Sequence, residues 1–158
     1  MGAMLKLNPS AMAIMPDQHV RPVAMSSAHK PAVYVVDDDV GVLGSLRFLL
    51  ETDGFEVRTF RSGTALLSAT QPADVDCLVI DYKMPDMNGL DLVAQLRSNN
   101  VGAPVVLITG YPDDKIAERA TTAGIERVLL KPLLGDSLAK HIKSAIEEAR
   151  RPRSPTNC

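Results

Sequence analysis

The sequence predicts an α/β protein built on a doubly wound, five-stranded parallel sheet. Three observations carry this expectation. Between residues 31 and 149, short apolar runs alternate five times with helical segments. Two of those runs, residues 77–80 and 105–108, are apolar without interruption, as strands covered on both faces must be. Four of the five runs also stop in polar residues able to do chemistry, and open α/β sheets place their ligand crevice at the carboxyl ends of the strands.

The elements follow in order. Residues 32–36 form the first strand, and Val42, Leu46, Leu49 and Leu50 fall at i, i+4, i+7 and i+8 of the helix after it. Asp53-Gly54 ends that helix. Residues 55–60 alternate Phe55, Val57 and Thr59 against Glu56 and Arg58, as an edge strand would, before Ser62 caps a short helix. The third strand at 77–80 leads to a helix from 89 to about 98, and the fourth at 105–108 to a weaker helix over 113–122. The fifth strand, 127–130, precedes an amphipathic helix over 134–150 with Leu138, Ile142, Ala145, Ile146 and Ala149 on one face.

A chain of 158 residues is one domain's worth, and its 46% hydrophobic and 23% charged residues are ordinary for a globular protein. The formal charge of -2 argues against a nucleic-acid-binding domain and points to protein or small-molecule partners. No run approaches the roughly 18 to 20 apolar residues that span a bilayer, so no membrane is expected. Residues 1–30 read as a flexible extension containing Met and Pro, with at most one helical turn at 10–15, and lack the sustained apolar core of a signal peptide. Lys6 stands where a myristoylation signal wants Ser or Thr. Residues 150–158 form a basic tail containing Pro. Cys77 lies in a core strand and Cys158 is the last residue, so both are expected as free thiols, in keeping with a reducing cytoplasm.

The strand ends carry Asp37-Asp38-Asp39, Asp81, Thr109-Gly110 and Lys131-Pro132. Converging carboxylates repel one another unless a cation joins them or some stay protonated, and a hard divalent ion such as Mg²⁺ suits oxygen ligands. Carboxylates, a hydroxyl and an ammonium together are the parts needed to hold Mg²⁺ and a phosphoryl group while an aspartate attacks it. Asp39 reads as a cap for the first helix rather than a ligand. His19, His29 and His141 are scattered and receive no role.

The ordered set, with Asp81-Tyr82-Lys83-Met84-Pro85-Asp86-Met87-Asn88-Gly89 at its centre, resembles the receiver domain of two-component response regulators over residues 31–149, most of all receivers of the FixJ and NarL type. The resemblance implies the flavodoxin-like (βα)5 receiver fold and a signalling role rather than an enzymatic one. It implies Mg²⁺ binding by Asp37, Asp38, Asp81 and the backbone carbonyl of Lys83, and Asp81 as the phosphoacceptor. It makes Thr109 the switch hydroxyl, Lys131 the lysine that pairs with the phosphoryl group, and Pro132 a cis proline. Lys83, Gly110 and Tyr111 are placed as flanks of the phosphosite. The implied partner is a histidine kinase or a histidine phosphotransfer protein, in the cytoplasm.

The sequence departs from that pattern in two ways. Receivers commonly carry Tyr or Phe three residues before the lysine, where this chain has Val128. Lys83 and Tyr111 are bulky for their positions and are expected to obstruct water, prolonging the life of an acyl phosphate. No output domain follows Arg150, so a stand-alone, single-domain regulator is expected, acting through protein contacts or a phosphorelay. Ile125, Val128 and Leu130 with the fourth helix are candidates for a homodimer contact, although core packing accounts for them equally well. A rival reading of Asp37-Asp38-Asp39-Val40-Gly41 is the nucleophile loop of haloacid dehalogenase-like phosphatases, with Asp37 as nucleophile and Asp39 as acid/base. A further alternative is a scaffold receiver indifferent to phosphorylation.

Overall fold

The structure is a computed structural model, described here for residues 29–69, 74–111, 113–125, 127–133 and 137–151. The expectations for residues 10–15 and for Cys158 lie outside these residues. The strands are β1 (Ala32–Val36), β2 (Glu56–Phe60), β3 (Cys77–Asp81), β4 (Val105–Thr109) and β5 (Arg127–Leu130). The helices are α1 (Val40–Thr52), α2 (Gly63–Ser68), α3 (Gly89–Ser98), α4 (Asp114–Thr122) and α5 (Ser137–Arg150). All strand pairs are parallel and the order is β2-β1-β3-β4-β5, which puts β2 at an edge as its alternation predicts.

Alternate residues of the central strands face two separate apolar layers. Tyr34, Val36, Leu78, Ile80 and Leu107 pack with Leu66 of α2, Leu92 and Leu96 of α3, and Ile116 and Ala120 of α4. Val33, Val35, Cys77, Val79, Val106 and Ile108 pack with Leu43, Leu46 and Leu50 of α1 and with Leu138, Ile142 and Ile146 of α5. Every residue of β3 and β4 is buried, so their uninterrupted apolar pattern reflects helices on both faces. The Cys77 thiol is free, and burial pushes its pKa up to about 12.

The helix ends obey local chemistry. The Asp39 carboxylate caps α1 by accepting from the backbone N–H groups of Gly41 and Val42 at 2.8 and 3.2 Å, and Ser62 caps α2 from Ala65 at 3.0 Å. Two expected faces shift. On α1 the buried stripe is Leu43, Leu46 and Leu50, while Val42 and Leu49 are half-buried; α1 is apolar on several sides, so sequence periodicity does not single out the stripe that meets the sheet. On α5, Ala149 is exposed and Ala139 is buried instead. Of the candidate dimer residues, Ile125 is core, Val128 is half-buried and Leu130 is exposed.

Candidate phosphoacceptor site

The carboxyl ends of β1, β3, β4 and β5 meet at one end of the sheet. The strand order turns back between β1 and β3, so the loops after these two strands diverge and leave a crevice where Asp37 and Asp81 sit. One carboxylate oxygen from each of Asp37, Asp38 and Asp81 lies within 4.8 Å of the others. Asp37 and Asp81 are buried whereas Asp38 is exposed, so the cluster opens to solvent through Asp38.

Asp37 is fixed from two sides. Its Oδ1 accepts from the Asp39 backbone N–H at 2.9 Å, and its Oδ2 accepts from Lys131 Nζ at 3.1 Å. Lys131 Nζ also lies 3.3 Å from Asp81 Oδ1 and so bridges the two buried carboxylates. The backbone N–H of Lys131 donates to the Thr109 carbonyl at 2.9 Å, which sets where its side chain leaves β5, and the bond to Pro132 is cis.

The charges do not balance. Three carboxylates face one ammonium. Burial, and then the Asp37 charge, push Asp81 up to about 6 even though Lys131 opposes them. Burial works against the charged form of Lys131, but its hydrogen bond to Asp37 and the charges of Asp81 and Asp37 outweigh that, and its pKa is raised. A divalent cation with oxygen ligands fits this donor set, because it would offset both the burial and the mutual repulsion that disfavour the ionised carboxylates.

The loop from Asp81 to Gly89 is pinned at several points. Tyr82 N–H donates to the Ile108 carbonyl and Gly89 N–H to the Tyr82 carbonyl, each at 2.7 Å, while Met84 is buried in the core. Asp86 Oδ2 accepts from both the backbone and the hydroxyl of Thr64 at 2.9 Å, which ties the loop to α2, and those bonds hold the Asp86 pKa below its ordinary value. Nothing in the sequence marks that pairing across 22 positions. Asn88 caps α3 by accepting from Asp91 N–H at 2.8 Å. At Gly89 the requirement is close approach, since a Cβ there would lie 2.8 Å from both the Asp81 carbonyl oxygen and Leu107.

On the other wall, the buried Thr109 hydroxyl accepts from Tyr111 N–H at 3.1 Å and donates to the Tyr111 carbonyl at 3.4 Å. It is thus engaged by its own loop. Lys83 and Tyr111, read together from the sequence as flanks of the phosphosite, touch each other: Lys83 Nζ lies 5.1 Å from the centre of the Tyr111 ring. A Cβ at Gly110 would meet nothing within 4 Å, so neighbours do not demand glycine there and its small size simply leaves the mouth open. Beside this mouth a cleft runs between Gly41, Val42 and Ser45 of α1 and the Lys131-Pro132-Leu133 turn.

This geometry, a buried aspartate at the end of β3 beside an acidic pair and a lysine, has relatives. The description "response regulator receiver domain" matches residues 33–143. The chain belongs to this family. Over 120 residues the receiver is 35% identical to the transcriptional regulatory protein FixJ of Bradyrhizobium diazoefficiens, a match covering 76% of this chain and 58% of FixJ. It is 39% identical to the solved response regulator StyR, with a TM-score of 0.70, covering 76% of this chain and 61% of StyR. It is 34% identical to the crystal structure of FixJ-N, with a TM-score of 0.67, covering 75% of this chain and 95% of FixJ-N. The chain therefore spans little more than half the length of FixJ. The flavodoxin-like (βα)5 fold expected of a receiver is the fold observed, and the family is a signalling module rather than an enzyme class. Its members bind Mg²⁺ at an acidic pocket and interact with histidine kinases and phosphotransfer proteins. Among the described residues no helix is long and apolar enough to cross a membrane. The rival phosphatase reading wants Asp39 as acid/base, whereas here Asp39 Oδ1 takes both capping bonds of α1 and the chain matches the receiver family over residues 33–143.

Proposed function

We propose that this receiver accepts a phosphoryl group on Asp81 from the phosphohistidine of a histidine kinase or phosphotransfer protein. The change then passes on by protein contact or by return of the group to another histidine protein. The observation that carries this reading is the Lys131 ammonium bridging Asp37 and Asp81 at 3.1 and 3.3 Å inside an acidic crevice that stays net negative. Asp37, Asp38, Asp81 and the Lys83 carbonyl would hold Mg²⁺, which when bound supplies positive charge to the transferring oxygens.

The residues divide the work by chemistry. An Asp81 carboxylate oxygen attacks phosphorus, the P–N bond breaks, and its electron pair returns to the donor imidazole. Asp81 must be ionised to attack, which burial and then the Asp37 charge oppose and the Lys131 ammonium favours. Lys131, already beside Asp81 Oδ1, exchanges part of that contact for a phosphoryl oxygen and meets the developing charge. The new dianion is a stronger acceptor than the Tyr111 carbonyl, so the Thr109 hydroxyl turns toward it. The exposed mouth formed by Asp38, Gly110 and the cleft beside α1 admits the donor histidine.

Incubation with acetyl phosphate and Mg²⁺ tests the reading. Intact-mass analysis should show one phosphoryl group on the wild-type chain and none on Asp81→Asn. Undiminished labelling of Asp81→Asn would overturn the assignment of the acceptor.

A further inference from the structure

At the amino ends of β4 and β5, the opposite end of the sheet from the phosphoacceptor, a cleft of about 240 Å³ lies between the last turn of α3 and α5. The charged side chains that line it are Arg97, Arg127 and Glu148, beside the apolar side chains of Val105, Ala145 and Ala149. Arg127 and Glu148 answer each other: Nη1 and Nη2 of Arg127 donate to the two Glu148 carboxylate oxygens at 3.2 and 3.0 Å. Arg97 is held differently. Its Nη1 donates to the Val101 and Ala103 carbonyls at 2.9 and 2.8 Å, which pins the guanidinium to the loop that leads into β4. Those two bonds use both hydrogens of Nη1, and the Nε–H and Nη2–H groups find no acceptor among the described residues. No carboxylate among the described residues pairs with Arg97, and burial, unopposed, lowers its pKa.

We propose that this cleft binds a small organic acid, its carboxylate on the open edge of the Arg97 guanidinium and its hydrocarbon stem against Val105, Ala145 and Ala149. A half-buried guanidinium without a counter-ion is costly, and an incoming carboxylate offsets that cost. Nε–H and one Nη2–H leave the same edge of the planar group, at the spacing of two carboxylate oxygens. Because Nη1 is already pinned, little rotamer freedom remains to be lost on binding. The charges suit a monoanion: two guanidiniums against one carboxylate leave a single positive charge in excess on the cleft walls. Arg151, whose charge acts on Glu148, adds positive potential beside it. The apolar wall favours a carboxylate on a short hydrocarbon over inorganic phosphate, which has no apolar surface to bury there. At about 240 Å³ the cleft takes an acid of a few carbons rather than a peptide. It shares no residue with the phosphoacceptor site, so it stands independently of the role of Asp81.

Nitrogen NMR of the full chain at mildly acidic pH reads the arginine Nε–H groups directly, and Arg97→Gln identifies the Arg97 signal by its loss. The backbone amides of Gly102 and Gly124, which also line the cleft, report from its walls. Titration with sodium butyrate should move these signals saturably. Butyrate should bind several-fold more tightly than sodium acetate, because its two further methylene groups reach the apolar wall. In Arg97→Gln the Gly102 and Gly124 shifts should be lost. That variant also gives up two carbonyl bonds, so Ala149→Leu supplies the second arm. Ala149 is exposed, and leucine there covers the cleft while both Arg97 bonds remain; butyrate should weaken by about tenfold or more with the Arg97 signal still present. No saturable shift in wild type overturns the proposal, as do shifts reproduced by sodium chloride at equal ionic strength or undiminished butyrate binding in either variant. Equal affinity for acetate and butyrate, or tighter binding of inorganic phosphate at these signals, overturns it as well.

Discussion

Asp81 is where stability and chemistry pull in opposite directions. Its pKa is raised from 3.8 to about 6 by burial and by Asp37, so the folded protein binds that proton more tightly than the unfolded chain. A raised folded pKa stabilises below the unfolded value, and the contribution is lost as pH rises through the folded one. In the absence of Mg²⁺, wild type should lose stability between about pH 4 and pH 7 on this account. Asp81→Asn should be more stable than wild type at pH 7.5 by on the order of 1 kcal/mol, the half-open site screening the rest. Thermal melts across pH check this, and the advantage should shrink below about pH 6 as wild-type Asp81 takes up its proton. Lys83 and Tyr111 meet at 5.1 Å, and we propose that these two side chains crowd the approach of water to Asp81. The double variant Lys83→Asn with Tyr111→Ala should shorten the life of the phosphorylated protein several-fold, measured as decay of the phosphoryl mass after donor removal; unchanged decay would refute the obstruction. Asp37, Asp38, Asp81, Thr109 and Lys131 were readable because each stands at a strand end, where the apolar pattern that serves the core breaks off and the chain turns into the crevice. The Lys83 contact with Tyr111 and the Thr64 bonds to Asp86 were not, because each joins loops that only the folded chain brings together.

At the scale of the element, α3 is the helix most closely fitted to the site. A methyl group at Gly89 would meet the Asp81 carbonyl and Leu107 at 2.8 Å, and a backbone carbonyl cannot step aside as a flexible side chain can. Gly89→Ala should therefore destabilise by about 1–3 kcal/mol and slow phosphorylation, because relief of the clash moves either α3 or the acceptor strand. Denaturant melts and the rate of labelling by acetyl phosphate test both effects. The edge strand β2 and the caps Asp39 and Ser62 were legible because alternation and capping are local codes. Which stripe of α1 is buried was not: Val40, Val42, Leu43, Leu46, Phe48, Leu49 and Leu50 spread over much of its surface, and contact with the sheet selects Leu43, Leu46 and Leu50. Ala149 was misplaced for a related reason, since alanine buries so little area that either side of α5 suits it.

For the whole molecule, the acidic crevice links ion binding to folding. A ligand that binds only the folded state stabilises it by RT ln(1 + [L]/Kd), about 2.7 kcal/mol at a hundredfold excess over Kd. Saturating Mg²⁺ should accordingly raise the melting temperature of wild type at pH 7.5, and Asp37→Asn should lose most of that rise. Calorimetry with and without the ion decides, and an equal rise in both proteins would remove Asp37 from the ligand set. At the opposite end of β3 from Asp81 stands Cys77, whose thiol is buried beneath α1 and α5 and held almost wholly protonated at neutral pH. Alkylating reagents attack thiolates, so this sulfur is silent while the sheet is covered and reacts only when the layer above it lifts. In a Cys158→Ser background the rate of Cys77 alkylation becomes a clock for opening of the sheet, running in the folded protein without denaturant.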